Sequence, residues 1–312
     1  MSLICTDVIT PAFERTKKFM FPFKLKPWLK LGFLSLLASS LWTNFNFNYR
    51  FSSPSDFVWF VGLWESYPGL IITGAIFLVL LGLFLVFISS LLTFTLFKSV
   101  DTQKVLIKKN TKDTFGLGKS YFWFNLIAGF VIALVFILLI LLFVWPFITG
   151  QVADFPLASI LLLILVFGLI VFILALFFAF IKLFVIYYMY LKKKRFCFSF
   201  RKSWGLLKKH FTEMFVFALI RLGMHIAIAI AAFFLMLILL IPILIVGAIL
   251  GGIVYLVYQG LGLVVAIVLG VIFGLIILIA FALVVLLIAA PIDVFLINYN
   301  LMFMRKILAL KN

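Results

Sequence analysis

Long apolar runs alternate along this chain with short basic segments, and the runs fall in pairs. A helix needs about 20 apolar residues to cross a hydrocarbon core. The runs at 69–97, 121–147 and 155–191 each exceed that length. An earlier run, 28–45, is weaker because Ser35, Ser39, Ser40, Thr43 and Asn44 interrupt it. From Ile226 to Ile292 there is no charged residue, which leaves room for two long helices or three shorter ones with a turn near Pro242 to Gly262.

The positive charges decide between those two counts. They gather at Arg15 to Lys30, Lys98 to Lys119, Lys192 to Lys209 and Arg305 to Lys311, while the opposite loops carry Arg50, Asp56, Glu65 and Asp154. Basic loops stay on the cytoplasmic side of a membrane. Spans at 212–246 and 262–304 put all four clusters there, and an odd number would strand the last one outside. The expectation is one membrane domain over 1–312: an all-α protein of six transmembrane helices in three hairpins, with basic amphipathic connecting helices and both termini cytoplasmic.

Composition excludes a soluble fold, since 67% of the residues are hydrophobic and 11% charged, where soluble domains are about one quarter charged. The net charge of +17 raises the question of nucleic acid. The basic residues border apolar spans instead of covering a soluble face, so the expected partners are anionic lipid headgroups and not nucleic acid. Cys5 and Cys197 both fall on the cytoplasmic side, where thiols stay reduced, and no disulfide is expected. Asp7, Glu14 and several lysines precede the first long apolar run, a pattern unlike a signal peptide.

Two basic segments are amphipathic. Over 8–27, Thr10 is a candidate N-cap before Pro11, and Phe13, Met20 and Phe23 recur at helical spacing against Arg15, Lys17, Lys18 and Lys24; Pro22 and Pro27 should break this interfacial helix. After the fourth span, Phe200, Trp204, Leu207 and Phe211 form a stripe, with Arg201, Lys202, Lys208 and Lys209 mostly off it. A helix of this kind lies in the membrane interface, and Arg201, Lys202, Trp204, Lys208 and Lys209 are the candidate headgroup contacts. The segment Lys98 to Lys119 has no such stripe. Its Gly118-Lys119-Ser120 matches the end of a phosphate-binding loop, but Asp113 occupies the position of the required glycine and no strand precedes it, so the match is coincidental. The unit of basic connection, span, turn and span recurs three times, suggesting a cytoplasmic collar of three interfacial helices.

Ionisable residues in the apolar runs are Lys182, Glu213, Arg221, His225 and Asp293. At about 1.5 Å per residue from the outer helix ends, Lys182, Arg221 and Asp293 lie roughly 35–45 Å down, beyond a core of about 30 Å. They share one layer at the cytoplasmic interface, where Tyr187, Tyr188 and Tyr190 would sit among headgroups. Asp293 is expected to pair with Lys182 or Arg221 and tie the sixth span to the fourth or fifth. Gly247 with Gly251, and Gly270 with Gly274, have the spacing that lets helices approach closely. Alternatively, a broken helix over Gly247 to Gly262 would expose Tyr255, Tyr258 and Gln259 to a solute cavity.

Motifs for chemistry are missing. There is no carboxylate pair at a suitable depth, no metal cluster around the two histidines His210 and His225, and no glycine-flanked nucleophilic serine. The chain is expected to be no enzyme, with no catalytic, cofactor or metal residues.

The segment AFERTKKFMFPF (12–23) running into WLKLGF (28–33), and FVIYYMYL (184–191) followed by FRKSWGLL (200–207), resemble uncharacterised multi-pass membrane proteins of archaea and bacteria. These are similar to the membrane domain that precedes some glycerophosphodiester phosphodiesterases. The resemblance implies a six-helix domain in a prokaryotic plasma membrane with no assigned reaction. It carries over no phosphodiesterase activity, because the catalytic barrel is absent. Two functions are expected: a membrane-organising module that interacts with lipids or partners, or a transporter or channel for a small or lipidic solute.

Overall fold

The computed structural model describes residues 4–39, 66–148 and 157–310. Residues 40–45 of the first expected span, the loop charges Arg50, Asp56, Glu65 and Asp154, and the terminal Lys311 lie outside the described residues. Every described element is helical: α1 (Ile4–Asp7), α2 (Ile9–Met20), α3 (Leu25–Ser39), α4 (Pro68–Thr102), α5 (Ile107–Ile148) and α6 (Leu157–Phe180). A π-helical turn, Ile181–Val185, joins α6 to α7 (Ile186–Lys192), followed by α8 (Phe196–Lys209), α9 (Phe211–Leu261) and α10 (Leu263–Ala309). Among the described residues α4, α5, the α6–α7 run, α9 and α10 are long and apolar enough to cross a membrane, which makes five candidate spans.

Several helices run past the expected spans. Helix α9 does not end at 246 or break after it; it stays helical to Leu261. In apolar surroundings an unwound backbone would forfeit its hydrogen bonds, so glycines that could break a helix in water are carried inside one. The chain then reverses at Gly262, whose φ of 87° and ψ of 175° define a conformation essentially restricted to glycine. Helix α5 begins at Ile107, not 121, so Lys108, Lys109, Lys112 and Lys119 extend a long helix and form no separate interfacial one. The turn before it is made by Gln103, at φ 53°. Helix α2 starts at Ile9 after the helical Val8, placing Thr10 inside it; the missing N–H of Pro11 is harmless anywhere in the first turn. Pro22 follows the end of α2 as expected, whereas Pro27 falls in the first turn of α3.

The chain forms two compact units. The first comprises Met1–Leu36, Leu96–Ile107 and Leu206–Asn312. Its α9 and α10 run antiparallel, with Phe217 stacked 3.8 Å from Phe303 and 4.9 Å from Tyr299. Helix α9 has 51 residues, about 77 Å, yet its buried side chains are Met214 and Phe217 near one end. On α10 nearly all burial falls between Ala290 and Ile307. Much of the remaining apolar surface of both helices is exposed, as suits a surface solvated by lipid. Helix α2 packs on α10 through Ala12, Thr16 and Met20. The expected stripe is thus rotated: Phe13 is half exposed and meets Phe295 edge-on at 6.4 Å. At Ala12 and Thr16 the inward-facing side chains are small, which lets the two helices close up.

The second unit comprises Leu37–Thr95 and Lys108–Gly205. Here α4 and α5 are joined by Thr95–Thr111 (3.0 Å) and Asn125–Ser90 (3.2 Å) hydrogen bonds. The π turn and α7 contribute buried Ile181, Phe184, Val185 and Met189. Helix α8 docks through Phe196, whose ring stacks 3.8 Å from Phe124.

Glycines mark the closest helix contacts, though not the ones the spacing suggests. A Cβ on Gly251 or Gly274 would meet nothing within 4 Å, and one on Gly247 would make ordinary contact with Ile277 at 3.5 Å. At Gly32 on α3 it would lie 2.5 Å from the Leu286 carbonyl oxygen of α10, and at Gly118 on α5 it would lie 2.8 Å from the Leu91 Cα of α4. Gly118, which superficially resembled a phosphate-loop residue, is a packing residue.

Candidate functional site

Helix α8 separates two chemistries on opposite faces. Phe196, Ser199 and Ser203 are buried, and the Phe196 N–H donates to the Ser120 hydroxyl at 3.0 Å. That N–H is one of the donors that a helix start leaves without a partner, so Ser120 acts as its cap. Phe200 packs against Phe177 and Phe180, and the Trp204 ring meets Phe180 edge-on at 5.7 Å. Arg201, Lys202, Trp204, Lys208 and Lys209 are all exposed. The Lys194 and Lys202 ammonium groups lie 5.8 and 5.9 Å from the Phe198 ring centre, a cation–π arrangement that keeps two charges beside an apolar surface.

The second candidate is the ionisable layer. In the first unit, Arg221 on α9 donates to the Leu296 carbonyl at 2.9 Å and also to the Asn300 side-chain oxygen, both on α10. Asp293 lies beside the Ser35 hydroxyl and within electrostatic range of Arg221. Lys182 belongs to the second unit and is exposed on the π turn. The layer therefore ties α9 to α10 through a backbone carbonyl and an asparagine that charge counting did not single out. Asn298 donates to Thr16 at 3.0 Å, and the Tyr299 hydroxyl donates to the Cys5 carbonyl at 3.2 Å, fastening α1 and α2 to the same stretch. Three consecutive polar side chains, Asn298, Tyr299 and Asn300, were the available sequence signal.

Ion pairs complete this end of the first unit. Asp101 receives Arg15 at 3.1 Å and Arg305 at 2.6 Å, and Lys306 lies 3.8 Å from Asp7. Among the described residues no three of His, Cys, Asp or Glu form a group able to hold a metal ion. Tyr255 and Tyr258 are exposed, and Gln259 donates to Tyr255 on its own helix at 2.8 Å; with α9 unbroken, they line no gap in the backbone.

The two cysteines give a direct check on this packing. Cys5 is fully buried and Cys197 exposed, and burial pushes the Cys5 thiol above its ordinary value, further reducing the reactive thiolate. Native protein should take up one maleimide per chain quickly, at Cys197, and the second only after denaturation. Equal labelling of both under native conditions would mean that α1 is not docked.

No curated protein and no solved structure matches the chain. A family model does match it, from residue 3 to residue 309. Together with five membrane-length helices, this coverage places the whole described fold within one family: the chain belongs to DUF7544, a family of unknown function.

Proposed function

We propose that this is a non-enzymatic, six-span protein of a prokaryotic plasma membrane, with both termini cytoplasmic, that organises lipids or partner proteins through basic surfaces at the bilayer interface. The observation that carries the reading is the division of α8. One face is docked by Phe196, Ser199 and Ser203, and the exposed residues include Arg201, Lys202, Lys208, Lys209 and Trp204. Trp is favoured at the headgroup level, and each basic residue beside an anionic surface contributes about 1 kcal/mol.

The test is to change Arg201, Lys202, Lys208 and Lys209 together to glutamine and compare co-purifying lipids by mass spectrometry. Loss of four such contributions should weaken anionic-lipid retention by roughly two to three orders of magnitude at low salt. Zwitterionic lipid should be unaffected. An unchanged ratio of anionic to zwitterionic lipid would sink the headgroup role of α8. A transporter or channel for a small or lipidic solute is the alternative reading; residues 247–261 are helical, so an unwound stretch there does not support it.

A further inference from the structure

In the first unit a cavity of about 400 Å³ opens between the end of α2, the start of α3 and the turn that follows α4. Lys18, Lys26 and Lys30 line it, with Phe19, Pro27 and Gln103. No carboxylate is among its lining residues. An adjoining hollow shares Lys18 and Gln103 and brings in Glu14, Arg15, Asp101 and Thr102. Asp101 there already serves Arg15 and Arg305. Among the described residues none of the three lysines takes part in an ion pair.

We infer that this cleft is a binding site for a phosphate-bearing anion, carried by a lipid headgroup or by a free phosphate ester. Three like charges brought to one concavity repel each other, and an anion seated among them turns that repulsion into attraction. A volume of about 400 Å³ is in the range of small-ligand sites, which suits a phosphorylated headgroup or sugar better than a bare ion. Phe19 and Pro27 offer apolar contact beside the cationic groups. The shape of the site comes from the backbone: Pro22 ends α2, α3 restarts at Leu25, and Gln103 at φ 53° turns the chain after α4. Lys26 and Lys30 stand where the first expected span enters the bilayer, the level at which lipid phosphates lie.

This site adds to the role proposed for α8 and is separate from it in sequence and in the lysines used. The experiment takes full-length protein, wild type, Lys18→Gln/Lys26→Gln/Lys30→Gln and the α8 quadruple variant. Each is placed in phosphatidylcholine nanodiscs with or without phosphatidic acid or phosphatidylinositol 4-phosphate, and bound lipid is counted by native mass spectrometry. A parallel arm titrates soluble inositol phosphate by calorimetry in phosphatidylcholine nanodiscs. The triple glutamine variant should lose roughly a hundredfold in affinity for the phosphorylated probe; the α8 variant should keep its affinity for soluble inositol phosphate while losing the anionic lipid held at α8. Lys18→Arg/Lys26→Arg/Lys30→Arg should bind as wild type does, which excludes a folding defect. Loss in the lipid arm alone assigns the site to headgroups; loss in both arms assigns it to the phosphate ester itself. Binding unchanged in the triple variant overturns the inference, even where the α8 variant loses anionic lipid. Loss of retention in the α8 variant alone supports the α8 role and refutes this cleft.

Discussion

Gly32→Ala and Gly118→Ala are each expected to destabilise the protein by about 1–3 kcal/mol or more, whereas Gly251→Ala and Gly274→Ala should be neutral or slightly stabilising. The added methyl at Gly32 would sit 2.5 Å from the Leu286 carbonyl oxygen and 3.0 Å from its carbon. At Gly118 it would sit 2.6 Å from Leu91 Cδ2 and 2.8 Å from its Cα. Side chains can rotate away, but backbone atoms of a packed helix cannot, so each pair of helices must separate along its contact. Overpacking of this kind costs about 1–3 kcal/mol and sometimes more. Gly251 and Gly274 have open space, and alanine there recovers up to about 1 kcal/mol of helix propensity. Denaturant titration of the detergent-solubilised protein reads the difference. If Gly32→Ala unfolds together with Gly251→Ala, the close approach of α3 to α10 is wrong.

Arg221→Met should cost about 2–4 kcal/mol. Hydrogen bonds to charged groups contribute about 1.5–3 kcal/mol each, and Arg221 makes two across α9 and α10, to Leu296 and Asn300. The upper end of that sum is reduced because the bonds are only partly buried. The Leu296 carbonyl keeps its helical environment after the change, but the Asn300 oxygen loses its donor. Arg221→Met/Asn300→Leu should therefore be less damaging than the sum of the single variants, by about 1–2 kcal/mol. Strict additivity would mean that the two side chains are not coupled. The same cycle with Asp293→Asn asks whether the carboxylate shares in this tie or acts mainly through Ser35.

Gly118-Lys119-Ser120, whose match to a phosphate loop is coincidental, has its roles set by tertiary packing. The residue types matched part of a phosphate loop, yet the glycine serves the crossing of α5 on α4 and the serine caps α8. Both roles depend on segments distant in sequence. Of the paired glycines of α9 and α10, Gly247 and Gly270 face the other helix at ordinary contact distance, and Gly251 and Gly274 do not. Their spacing suited a close approach, but most of that helical surface has no protein neighbour close enough to need it.

What the sequence determined by itself is the class of solvent and the class of structure. Long unbroken apolar runs suit membrane helices, which satisfy the backbone within the segment, so α4, α5, the α6–α7 run, α9 and α10 could be read from composition and length. The clustering of lysine and arginine is likewise a one-dimensional property, visible without coordinates. Tertiary structure decided which face of α2 turns inward, where α5 begins, which acceptors Arg221 reaches, and that Lys18, Lys26 and Lys30 line one cavity. The physical reason is range. Transfer free energy sums over residues along the chain, whereas packing and hydrogen bonding depend on ångström separations between segments such as Thr16 and Asn298, which only the folded chain brings together.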